Sequence, residues 1–201
     1  MISGAWFDWA DWHRGPASKL WPDLNQAAGV VFHSAVGTLQ GVIDVVMGPL
    51  EKSVTGVVGY DGKLIQFYPV TASPWANGSH EANKLYLGFE FEGGLVGNES
   101  EPLTPLQVDA AEHILRDLAE WKGVPLSFWQ RPSTLIEHNE LIATACPSGR
   151  IPWDELLARL TPPPPSAPYM VERRWVEMNI LSDGSSYPVE WIAKATPPPG
   201  A

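Results

Sequence analysis

The order of segments predicts an α/β (α+β) domain, a central mixed β-sheet flanked by helices, followed by a short C-terminal β-hairpin-like extension. Three observations carry this. Short β-branched or alternating runs are separated by stretches of helical periodicity, the pattern of helices packed on one sheet. A proline-rich run, "TPPPPSAP" (161–168), sets off residues 169–201 behind a semi-rigid linker. The composition, 44% apolar and 18% charged over 201 residues, is that of a globular chain long enough to bury a core.

Each element has a local reason. Residues 1–27 are rich in Trp and Pro and show little periodicity, so they read as an N-terminal extension to a main domain over 28–160. "AGVVFHSAVG" (28–37) is an apolar run that ends in His33 and small residues, a buried strand meeting a loop. "LQGVIDVVMGPLEK" (39–52) predicts a helix closed by Gly48-Pro49. "SVTGVVGYDGKLIQFYPV" (53–70) has the hairpin pattern, with Asp61-Gly62 at the turn. "ASPWANGSHEAN" (72–83) is loop chemistry.

"KLYLGFEFEGG" (84–94) alternates as a strand and puts Glu90 and Glu92 on one face. "TPLQVDAAEHILRDLAEWKG" (104–123) is the clearest helix. Thr104 can cap it, Pro105 suits the first helical position, and Gly123 closes it. Its expected apolar stripe is Leu106, Ala110, Ile114, Leu118 and Trp121. "PWDELLARL" (152–160) predicts a short helix, and the tail after the linker predicts two strands around Asp183-Gly184. That tail is too small to stand alone and is expected to pack on the main domain or on another chain.

Composition narrows the function classes. Thirteen basic residues against 23 acidic ones give a net charge of −10, which argues against nucleic acid as a partner. A single cysteine rules out an internal disulfide framework. The N-terminal "MISGAWFDWADWHRG" lacks a basic region followed by an apolar one, so no signal peptide is expected. No apolar run reaches the length of a membrane span.

The only cysteine stands in "IEHNELIATACPSG" (136–149), eight residues after His138. Two readings are open on the residues themselves. Cys146 and His33 can be small and aromatic members of a core. Alternatively, His33, His138 and Cys146 converge as three ligands of a catalytic zinc, which takes three protein ligands and keeps one position open. His13, His80 and His113 are further metal candidates; His113 is expected on a solvent-facing helix position, and His13 lies in a segment without a motif.

Five segments in order sharpen the choice: "GVVFHSAVG", "YDGKLIQ", "NKLYLGFEFEGG", "LTPLQVDAAEHILRDLAEWKGVP" and "IEHNELIATACPSGRIPW". Together they resemble the type 2 N-acetylmuramoyl-L-alanine amidases, the family that includes phage lysozyme-type amidases and peptidoglycan recognition proteins. The resemblance implies a peptidoglycan-recognition-protein-like fold over residues 28–160. It implies a Zn2+ cofactor held by His33, by His138 in "EHNE", and by Cys146 in "ACPSG". It also implies Glu90 of "LGFE" as general base, with hydrolysis of the N-acetylmuramoyl–L-alanine bond of peptidoglycan as the reaction.

The chain departs from the family at defined points. Thr144 stands where many phage members carry an oxyanion-stabilising lysine, and offers one hydroxyl in its place. Val54 or Thr55 replaces a catalytic tyrosine, and the "WH-G" motif becomes Trp75-Ala76-Asn77-Gly78, with His80 two residues beyond. Trp75 and Asn83 are the candidates to line a substrate groove. A phage endolysin held in the host cytoplasm until release to the cell wall fits this reading. So do two others: a peptidoglycan-binding module without turnover, and a virion component whose N- and C-terminal extensions meet other virion proteins. No membrane partner is expected.

Overall fold

A computed structural model describes residues 1–161, 171–180 and 186–195. Four two-residue strands open the chain: β1 (Ile2–Ser3), β2 (Trp6–Phe7), β3 (Asp11–Trp12) and β4 (Leu20–Trp21). β5 (Gly29–Ser34) and α1 (Leu39–Met47) follow, then β6 (Gly56–Val58), β7 (Leu64–Gln66) and β8 (Ser73–Pro74). Next come α2 (His80–Leu85), β9 (Tyr86–Phe91), α3 (Pro105–Lys122), β10 (Leu135–Glu137) and α4 (Trp153–Leu160). The last elements are β11 (Val171–Ile180) and β12 (Ser186–Ala195).

The expected mixed sheet is present. Its order is β10-β5-β9-β6-β7-β3, with β10, β5, β9 and β6 mutually parallel and β6–β7 an antiparallel hairpin. All six residues of β5 are buried, because parallel strands flank it and layers cover both faces. This is why its sequence is nearly continuously apolar.

α3 begins with a full capping box: Thr104 Oγ1 accepts from Gln107 N, and the Gln107 side chain accepts from Thr104 N. Gly123 ends it in the left-handed region at φ 66°, which an L-residue with a Cβ adopts at a cost. The buried face runs through Val108, Ala111, Ile114, Leu115 and Leu118. Leu106 and Trp121, expected in the stripe, are 53% and 38% exposed. A four-residue step on an α-helix overshoots one turn by about 40°, so a stripe built on such steps leaves the buried face at its ends.

The helix expected to close at Gly48-Pro49 does so: α1 ends at Met47, and Gly48 N–H donates to Asp44 O. Other differences are local. The loop expected over 72–83 contains β8 and the start of α2, whose Ser79 cap accepts from Ala82 N. Six helical residues are too few to display a period. The N-terminal segment is built into the main unit: β3 adds to the sheet edge beside β7, and Phe7 is fully buried in the core, its N–H donating to Gln66 Oε1 at 2.8 Å.

The chain divides into two compact units, Met1–Thr161 and Pro162–Ala201. In the second unit β11 and β12 pair antiparallel in register from Val171↔Ala195 to Ile180↔Ser186. The expected linker and the Asp183-Gly184 turn lie outside the described residues.

Candidate metal centre

Three parallel strands end at one place, and that is what builds the site. β5 pairs with β9 so that His33 lies opposite Glu90, and with β10 so that Phe32 lies opposite Glu137. His138 follows Glu137 directly, so residues more than a hundred positions apart become neighbours at the carboxyl ends of the strands. Ligands gather at such ends in open α/β sheets. The loop after β10 turns back so that Asn139 N–H donates to Cys146 O at 2.9 Å. Ser34 N–H then donates to Cys146 Sγ at 3.1 Å, pinning the sulfur against the end of β5.

One ligand atom each from His33, His138 and Cys146 lie within 4.8 Å of one another. The two imidazole centroids are 4.5 Å apart, and Cys146 Sγ lies 3.9 Å from His33 Nδ1. His33 is 1% exposed and its Nε2 is 3.0 Å from Asn77 Oδ1. Burial, with His138 alongside, pushes the His33 ring down to about 3, so it is neutral at physiological pH. Burial also lowers His138. Burial, reinforced by Glu90, pushes the Cys146 thiol up to about 12, and the Ser34 N–H opposes it. A coordinated thiolate is deprotonated outright, so a cation would displace that proton.

The donor set fits zinc: two neutral imidazoles and one sulfur, with room for a fourth ligand. A second observation agrees. Five buried side-chain polar atoms among the described residues lack a hydrogen-bond partner, and three of them, His138 Nε2, Glu90 Oε2 and Trp75 Nε1, belong to residues lining one cavity. Buried polar groups are nearly always satisfied, so this concentration marks a place that takes a polar ligand. The cavity measures about 670 Å³, and His33 and Cys146 also line it.

Glu90 lines this cavity. Burial raises its carboxyl to about 7, with Lys52 and then Arg150 pulling it back. A carboxylate poised near neutrality is suited to accept and return a proton. Glu92 does different work: its two oxygens accept from Leu39 N and Tyr60 N, both at 2.8 Å, tying α1 and the β6–β7 turn to the end of β9.

Of the groove candidates, Trp75 lines the cavity. Asn83 is 3% exposed and is not part of the cavity wall; its Oδ1 accepts from Ala76 N and Asn77 N, shaping the loop from beneath. Thr144 Oγ1 accepts from Cys146 N at 3.3 Å, and its side chain also lies off the cavity wall. His80 bonds Asp23 and stacks on Trp21, and His113 stacks on Trp9; neither joins the ligand group.

Three residues of the site escaped sequence reasoning. Lys52 lines the cavity and is the cation acting most strongly on Glu90. Arg150 is 2% exposed and donates to Glu101 O, Ser34 Oγ, Phe91 O and Glu92 O, holding the ends of β5 and β9 together. Asn77 contacts His33. For Arg150 a signal existed, an arginine four residues after the cysteine in an otherwise uncharged loop; Asn77 stands in the altered loop motif Trp75-Ala76-Asn77-Gly78, and for Lys52 there was none.

Comparison with known proteins agrees with this construction. The model of the family described as N-acetylmuramoyl-L-alanine amidase matches residues 23–149. No curated protein sequence matches the chain. Among solved structures, an AmpD derivative superposes with a TM-score of 0.62 at 15% identity, over 80% of this chain and 99% of that one. PlyL gives 0.60 at 15% identity, over 76% and 97%. The endolysin N-acetylmuramoyl-L-alanine amidase LysCS from Clostridium intestinale URNW gives 0.57 at 18% identity, over 78% and 98%. At these identities the likeness is one of fold. The family match spans five of the six sheet strands, the cavity and all three candidate ligands, and on that ground the chain belongs to the N-acetylmuramoyl-L-alanine amidase family.

Proposed function

We propose that this protein is a zinc-dependent hydrolase of the N-acetylmuramoyl–L-alanine bond of peptidoglycan, acting as a phage endolysin. The observation that carries the reading is the one cavity in which the His33, His138 and Cys146 donors meet an unpartnered Glu90. His33, His138 and Cys146 would hold the zinc. When bound, it supplies Lewis acidity, polarising a carbonyl and acidifying water.

The chain's own residues supply the rest. Glu90, with its carboxyl near 7, takes a proton from the attacking water and returns one to the leaving amine of L-alanine. Ser34 N–H and buried Arg150 stabilise negative charge on the sulfur side of the site. Lys52 is the only lysine or arginine among the residues lining the cavity, and its ammonium is the positive group available to a developing oxyanion. The endolysin assignment draws on the fold likeness to LysCS and to the Ph2119 endolysin from a Thermus scotoductus bacteriophage. It carries with it the expectation of a host-cytoplasmic enzyme released to the wall at lysis.

The test is metal content of the purified full chain together with release of new L-alanine amino termini from peptidoglycan. About one zinc per chain with release is expected. Zinc without release would replace the amidase reading by a peptidoglycan-binding one, and no zinc under metal-replete conditions would remove the ligand assignment itself.

A further inference from the structure

A neutral imidazole carries one N–H, and a histidine can give a metal only the nitrogen that lacks it. Which nitrogen that is at His33 is decided by the group facing the other one. Nε2 faces Asn77 Oδ1 at 3.0 Å, and both side chains are buried. The orientation of the Asn77 amide is itself determined. Its Nδ2 lies 2.9 Å from Tyr86 O and 3.4 Å from Ala82 O, and backbone carbonyls only accept. The NH2 therefore faces the carbonyls, and Oδ1 faces the imidazole. An amide oxygen only accepts, so the His33 proton sits on Nε2 and the lone pair on Nδ1, the nitrogen that faces Cys146 Sγ.

The surroundings hold this pair in place. Asn83 Oδ1 accepts from Asn77 N at 2.6 Å and from Ala76 N at 3.0 Å, while Asn25 Nδ2 donates to Asn83 O. Gly88 of β9 lies underneath: a Cβ there would stand 2.8 Å from Ala76 Cβ, 3.0 Å from Asn77 Oδ1 and 3.4 Å from His33 Nε2. The loop can descend onto the imidazole only because position 88 has no side chain.

We propose that Asn77 is the positioning residue of the metal centre: its amide, locked by the Tyr86 carbonyl, fixes the His33 tautomer and aims Nδ1 at the space shared with His138 and Cys146. This rests on the reading of those three residues as zinc ligands. It assigns a role to the "WANG" loop, which lacks the histidine of the family motif. Partners that orient a ligating histidine are typically worth about 10–100-fold in metal affinity.

The experiment uses the full chain in wild-type, N77A and H33A forms. Long-range 15N–1H correlation of the zinc-stripped wild type should show His33 with its proton on Nε2; a proton on Nδ1 would overturn the proposal without any variant. Zinc affinity by chelator competition should fall about 10–100-fold in N77A. N77A with wild-type affinity and a wild-type His33 tautomer would refute the role of Asn77 while leaving the ligand assignment intact. Wild type and H33A binding zinc equally would instead refute the ligand assignment.

Discussion

Replacing Arg150 with Met should be the most costly single change to the scaffold under the site. The guanidinium donates to Phe91 O at 3.1 Å and Ser34 Oγ at 3.0 Å, both buried, and to Glu101 O and Glu92 O at 2.7 Å, both part-buried. An acceptor left unsatisfied in the interior costs about 1–3 kcal/mol, so the two buried bonds alone set a loss of about 2–6 kcal/mol. Against this, Met relieves the desolvation of a cation that no carboxylate contacts directly, the same burial that lowers the Arg150 pKa. The balance is a loss of about 3 kcal/mol, a large share of the roughly 5–15 kcal/mol that holds a domain folded. For a unit of this size that corresponds to a fall in Tm of about 6–12 °C.

Urea denaturation of the full chain, followed by circular dichroism, measures this directly for wild type, R150M and R150K. R150K keeps the charge but loses the planar fork that reaches four acceptors, so it should fall between the other two. An R150M midpoint within about 1 kcal/mol of wild type at unchanged m-value would refute the reasoning.

Four other outcomes follow from the same geometry. C146S should lose most zinc, measured by metal analysis after dialysis, while its circular dichroism stays that of wild type. E90Q should retain zinc yet lose about 10²–10⁴ in kcat, the usual worth of a general base. It should also change the pH dependence of stability of the zinc-stripped protein. The folded state raises Glu90 from 4.5 to about 7, so it holds a proton the unfolded chain gives up, and stability declines as pH rises through that window. The decline is at most about 3 kcal/mol at 1.36 kcal/mol per unit, and E90Q should abolish it. K52M should lower kcat/KM with zinc content unchanged, since Lys52 lines the cavity and the ligand set excludes it; equal kcat/KM would remove it from the reaction. T104A should cost about 1–2 kcal/mol in urea denaturation, because Oγ1 both caps α3 and donates to Tyr60 O at 2.8 Å.

The sequence by itself determined the elements whose causes are local. The capping box and Gly123 bound α3, Asp61-Gly62 turned the β6–β7 hairpin, and the apolar run before His33 marked a strand buried on both faces. Resemblance over five segments then supplied the three candidate ligands and Glu90, because each sits beside a recognisable local pattern. What only the tertiary structure decided depends on groups far apart in the chain. Parallel register brings His138 beside His33, and nothing near either residue encodes that register. The role of Asn77 depends on the carbonyl of Tyr86 and the missing side chain of Gly88. Asn83 reads equally well as a groove residue or a loop anchor until its oxygen is seen accepting two backbone N–H groups. The role of Arg150 is fixed only when four acceptors converge on it from three segments of the chain. Periodicity and capping act over a few residues and can be read along the chain, whereas the partner of a buried polar group is fixed only when the sheet has formed.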